Sequence, residues 1–169
     1  PGLATWLPAP NGLHFHPPVN LWMSASDRRD DGAGAVVAML VHHDVDDTAA
    51  LIGRAEHRDA EELRRELAPG EMPMRWVGPS PSICAVLDQL LWNKEVWTAA
   101  IIGADLPERG GDDVAALRSR HDLVGPRWIS TVADIAADGR WSDRFVDALC
   151  DPPESFVLSS VVAHVVEYS

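Results

Sequence analysis

Histidines and carboxylates at helical spacing are the residues of this chain best suited to chemistry. In HHDVDD, Asp46 follows His42 by four residues and Asp47 follows His43 by four, so on a helix each pair shares one side. A carboxylate so placed orients an imidazole or binds a cation with it. The same spacing also makes a solvated face with local ion pairs. Near the C-terminal end His164, Glu167 and Tyr168 fall close to one helix face, and Gln89 lies within an apolar helical segment. In a helical bundle, His42, His43, Gln89, His164 and Glu167 could meet at one end of the core. His14 and His16 share a side of an extended stretch but have no evident third ligand nearby, so they read as arm histidines. Cys84 and Cys150 lack CxxC spacing and sit among apolar neighbours, which favours buried free thiols over a disulfide or a zinc site.

Several function classes lose support at once. The chain has no GxSxG elbow, no GxxxxGK[ST] loop, no GxGxxG and no HExxH, which removes the usual signatures of nucleophilic, nucleotide and zinc-protease chemistry. Its 14 basic and 26 acidic residues give a net charge of −12, so phosphate backbones are repelled and direct nucleic-acid binding is not expected. A cation, a small ligand or a protein partner fits that charge better. No apolar run reaches the roughly 18 residues that span a bilayer, and no basic-then-apolar leader is present. Those features and the unpaired thiols predict a cytoplasmic protein.

The elements that must position these residues are helical. Residues 1–32 form a Pro- and Gly-containing stretch predicted to be an extended arm, and residues 33–169 a single domain, which 169 residues with 46% hydrophobic content can supply. From Ala33, the positions Val37, Val41, Val45, Leu51 and Ile52 step by three and four and predict an amphipathic helix with an acidic outer face. The charged stretch AEHRDAEELRREL continues it or starts a short second helix, up to Pro69 and Gly70. The next helix is predicted to open at Ser80 as cap with Pro81 at its first position, to carry Ile83, Leu87, Leu90, Trp97 and Ile101 along one face, and to stop at Gly103. Asp112 is the expected cap of a third helix with the face Val114, Leu117, His121, Val124, Trp128, Val132 and Ile135, ending at Gly139. Pro126 inside it predicts a kink or a break. After Pro152 and Pro153, Ser155 is the expected cap of a last helix, SFVLSSVVAHVVEYS. Nothing after Tyr168 signals a stop, and the first residue is Pro1, not methionine. Both features predict a domain of a longer chain. With no βα alternation and no repeat, the fold class is all-α, a bundle of four principal helices.

Taken in order, MLVHHDVDDTAALI, the helix SICAVLDQLLWNKEVWTAAIIG with Trp92 and Trp97, and SFVLSSVVAHVVEYS resemble the DinB/YfiT-like family of helical bundles, over roughly Ala33 to Ser169. The resemblance implies a four-helix bundle holding a divalent metal, zinc or nickel, through one histidine on the second helix and two ligands four apart on the last. Carried onto this sequence, the histidine falls on Gln89, the first of the pair on Glu167, and the second just beyond Ser169. A neutral amide is a poor ligand for such metals, so the resemblance implies a degenerate site. A surviving one would use His43, His164 and Glu167. A ligand pocket would be walled by Gln89, Trp92, Trp97 and Tyr168, although tryptophans at helical spacing are also core residues. The arm NGLHFHPPVNLWM followed by this bundle also resembles the region after the helix-turn-helix module in actinobacterial AraC-type transcription regulators. That implies a ligand-sensing or dimerisation domain, a homodimer, with DNA read by a separate module. The expectation is therefore a non-catalytic sensing or dimerisation domain. The alternatives are a metal-dependent thiol transferase, isomerase or hydrolase of the same fold, and a purely structural interaction domain.

Overall fold

The computed structural model describes residues 31–68, 70–71, 79–147 and 152–167. The arm with His14 and His16, Cys150 and Tyr168 lie outside the described residues. Those described are mostly helical: α1 (Asp31–Ala55), α2 (Ala60–Arg64), α3 (Ile83–Ile102), α4 (Val114–Ala137) and α5 (Leu158–Glu167), with a 3-10 turn at Arg140–Ser142 and two short strands, β1 (Arg144–Asp147) and β2 (Glu154–Val157).

α1 buries Val41, Val45 and Ile52 along one side, as their spacing predicts. Leu51 lies one residue, about 100°, off that stripe and is exposed, not packed. α3 begins two residues later than expected. Ser82, not Ser80, is its cap, its Oγ accepting the Ala85 N–H at 3.2 Å. Pro81 precedes the helix, and its carbonyl accepts the Leu67 N–H at 2.8 Å, tying the tail of α2 to the start of α3. The stop at Gly103 is as expected: φ is 69°, a left-handed conformation that glycine adopts without strain. Asp113 rather than Asp112 caps α4, Oδ1 accepting the Ala116 N–H at 2.9 Å. Pro126 neither breaks nor divides that helix. It and Asp122, whose carbonyl would have received the missing N–H, are both exposed, so water can satisfy the freed oxygen.

The connector to the last helix holds a hairpin that the sequence reading lacks. β1 and β2 pair antiparallel, Phe145 opposite Phe156 and Val146 opposite Ser155. Ser155 is thus a strand residue whose hydroxyl accepts the Arg144 Nε–H at 3.0 Å. α5 starts at Leu158, whose N–H bonds the Asp143 carbonyl at 3.0 Å.

Two apolar clusters hold the helices together. In one, Val41 and Val45 of α1 meet Trp128, Val132 and Ile135 of α4 and Val162 of α5. In the other, Ile52, Leu63, Leu87, Leu91, Leu117 and Val124 join α1 to α4. Between α1 and α4, Gly125 permits close approach: a Cβ built there would lie 2.9 Å from Val45 Cγ1. Val45 is itself buried and β-branched, so it has little room to move. Gly125→Ala is expected to destabilise the chain by about 1 kcal/mol in urea unfolding, since overpacking of roughly 1–3 kcal/mol outweighs the ~1 kcal/mol helix-propensity gain of alanine. A stabilised variant would show that the two helices do not pack this closely.

Candidate functional site

The expected site residues are divided among three places. His43 Nδ1 lies 2.7 Å from Asp47 Oδ2 on the outer surface of α1, with side chains 68% and 65% exposed. Of the two readings of that spacing, this is the solvated face. Gln89 is bound within the helix layer: its Nε2 donates to Asn93 Oδ1 at 2.8 Å, and its Oε1 accepts from Arg109 Nη2 at 3.2 Å. The same Arg109 guanidinium lies 5.3 Å from the centre of the buried Trp92 ring, a cation–π distance. Trp97 belongs to another group. It is half-buried and stands edge-on to His164 at 6.0 Å, to Phe145 at 6.0 Å and to Phe156 at 6.4 Å. Eight residues separate Gln89 from Trp97, about 12 Å along a helix, and the hairpin phenylalanines pack directly against Trp97. Trp97 and His164 are therefore brought together, while Gln89 and Trp92 share Arg109 instead. Among the described residues no group of three or more His, Cys, Asp or Glu side chains is placed to hold a metal, so His43, His164 and Glu167 do not form one there.

Sequence reasoning missed a polar line through the core. Lys94 has no exposed surface, and its Nζ lies 3.1 Å from Asp44 Oδ1 and 3.5 Å from Thr48 Oγ1. The Thr48 hydroxyl donates to the Asp44 carbonyl at 2.8 Å, which turns its lone pairs to the ammonium. Burial holds the Lys94 pKa below the usual lysine value, and the Asp44 charge opposes that shift only in part. Asp44 Oδ2 and Thr98 Oγ1, both buried, have no hydrogen-bond partner among the described residues. The available signal was positional: Asp44 and Thr48 fall on the Val41–Val45–Ile52 stripe of α1, and Lys94 stands in the apolar run of α3.

A second set of charges joins α3 to α4. Arg120 grips Glu95 with two nitrogens, each at 2.8 Å, and reaches Asp88 Oδ1 at 2.5 Å and the Gly111 carbonyl at 3.0 Å. Arg109 holds Asp88 from the other side at 2.9 and 2.5 Å. Burial works against the Arg120 charge, yet the bonds from Glu95 and Asp88 outweigh it and raise the guanidinium pKa further above its usual value. His121, expected on the inner face of α4, is buried there, and its Nε2 donates to the Val45 carbonyl at 3.0 Å. These groups fix helices to one another.

An open groove of about 570 Å³ runs between the end of α1, α2 and the starts of α3 and α4. That is the size of a small-molecule site. Ala55, Leu63, Cys84 and Val114 give it an apolar lining, and Arg58, Arg64, Arg118, Glu56 and Asp113 bring charge. Burial raises the Cys84 thiol pKa, so the sulfur is an apolar wall and not a nucleophile. A smaller cavity of about 50 Å³ lies by His42 and Trp141. Neither is lined by Gln89, Trp92 or Trp97.

No protein-family model, curated protein or solved structure matches the chain. No helix among the described residues is long and apolar enough to cross a membrane.

Proposed function

We propose that the chain is a non-catalytic ligand-sensing or dimerisation domain on a DinB-like four-helix bundle, serving a transcription regulator whose DNA reader is a separate basic module. The observation that carries this reading is the state of Gln89. At the position of the metal-binding histidine stands an amide whose two polar atoms are bound to Asn93 and Arg109, in a network that ties α3 to α4. That is a structural role where the enzyme reading needs a ligand. The groove beside α2 offers a small molecule a place, and the net charge of −12 leaves phosphate binding to another module. Self-association would use the outer stripe of α1, where Val36, Met39 and Leu40 are 52%, 61% and 45% exposed.

Two measurements on one preparation test the proposal. After equilibration with zinc or nickel and removal of excess, elemental analysis is expected to find well under one metal per chain. A thermal-shift screen over a broad small-molecule library is expected to find ligands that raise the melting temperature, because binding only to the folded state stabilises it by about 2.7 kcal/mol at a hundredfold excess over Kd. A stoichiometric, chelator-removable metal would sink this reading in favour of the thiol transferase, isomerase or hydrolase. A screen without a single shift would favour a purely structural domain.

A further inference from the structure

Charge around the groove is unevenly committed. Both of its acids are engaged: Glu56 is held by Arg118 at 2.9 Å, and Asp113 caps α4. Arg118 is occupied by Glu56 and by the Ala49 carbonyl at 3.3 Å. Arg58 is only loosely paired, 3.6 Å from Glu62 at the exposed surface. The Arg64 side chain forms no ion pair or hydrogen bond with another described residue. Its charge nonetheless reaches the groove wall, where it favours the Cys84 thiolate against the larger effect of burial. Arg64 is exposed on α2 and lines the groove beside its apolar wall, and guanidinium binds carboxylate with two parallel hydrogen bonds.

We infer that the groove takes a small amphipathic carboxylate, its apolar body against Ala55, Leu63, Cys84 and Val114 and its carboxylate on Arg64, with Arg58 able to turn in from Glu62. This rests on the ligand-sensing reading and names the ligand class. A monoanion fits better than a phosphate dianion, because only one guanidinium is uncommitted and Glu56 and Asp113 remain close by. The concave volume of about 570 Å³ suits a small molecule and not a protein surface.

Calorimetric titration of the full chain with hexanoate, hexanol and hexylammonium tests it. Hexanoate is expected to bind at least tenfold more tightly than the neutral and cationic probes. Arg64→Gln should weaken hexanoate at least tenfold and Arg58→Gln less, while Arg127→Gln, on the exposed side of α4, leaves it unchanged. Ala115→Trp, which fills the groove from its α4 side, should abolish binding, with circular dichroism confirming that each variant is folded. Hexanol binding as tightly as hexanoate, or unchanged affinity in Arg64→Gln or Ala115→Trp, overturns the assignment while leaving ligand sensing intact. Failure of all three probes also overturns it, and the library screen then decides the broader reading by itself.

Discussion

Asp44→Ala is expected to lower the unfolding free energy by about 3–5 kcal/mol, the cost of removing one partner from a buried ion pair. Lys94 is wholly buried and 3.1 Å from Asp44, so the substitution removes the carboxylate from beside a buried ammonium, with the Thr48 hydroxyl 3.5 Å away. The paired change Asp44→Leu with Lys94→Met should recover most of the loss, because replacing both charges by apolar groups of similar size is often neutral or stabilising. Urea unfolding of Asp44→Leu, Lys94→Met and the double variant measures the coupling. If the losses of Asp44→Leu and Lys94→Met simply add in the double variant, the pair does not exist as described. The pH dependence has a definite sign. Lys94 has a folded pKa below the ordinary 10.5, so between those values the unfolded chain binds more protons and this group's contribution grows more favourable as pH rises. It is least favourable below the folded pKa, where both states are protonated. Relative to Lys94→Met, the native chain should therefore gain stability as alkaline pH approaches 10.5.

Such a pair is hard to read from sequence because periodicity weighs apolar residues and passes over polar ones on the same stripe. Asp44 and Thr48 share the face of Val41, Val45 and Ile52, yet beside His42, His43, Asp46 and Asp47 they look like part of one acidic surface. The packing of α3 and α4 on α1, with Lys94 beside Asp44 and Gly125 facing Val45, divides that segment into a buried and a solvated half. What was legible was local: the α1 stripe, the Gly103 stop, and the inner face of α4 from Leu117 to Ile135, all of which the fold buries or uses. Caps slipped by one or two residues where two candidates stood close together, Ser80 with Ser82 and Asp112 with Asp113. The hairpin was lost because RFVD and ESFV are each four residues long and flank prolines. Its absence from the reading had a direct consequence for the site. Phe145 and Phe156 stand edge-on to Trp97, one of the residues expected to wall a ligand pocket. The groove lay beyond sequence reasoning for another reason: Leu63 and Arg64 face Cys84 and Val114 only once α2 folds back across the starts of α3 and α4.

Trp128 carries the other large effect, and its two substitutions should behave very differently. The side chain is fully buried where α1, α4 and α5 meet, among Val41, Val45 and Val162. Trp128→Ala is expected to cost about 3–5 kcal/mol, the lost transfer energy together with the cavity left behind. At a typical scale of 5–15 kcal/mol for a whole domain, that loss should shift the urea midpoint well downward. Trp128→Phe removes less. It gives up part of the ring, but it also removes an indole N–H that has no hydrogen-bond partner among the described residues, and a buried unsatisfied donor costs about 1–3 kcal/mol. The two effects oppose each other, so the phenylalanine variant should lie within about 1.5 kcal/mol of the native chain. The difference between the variants is the informative quantity, since both remove the indole but only one leaves a large void. If Trp128→Phe were as damaging as Trp128→Ala, the indole N–H would have to make a bond that holds the helices together, and the packing of apolar surface would not be what fixes α5 against α1 and α4.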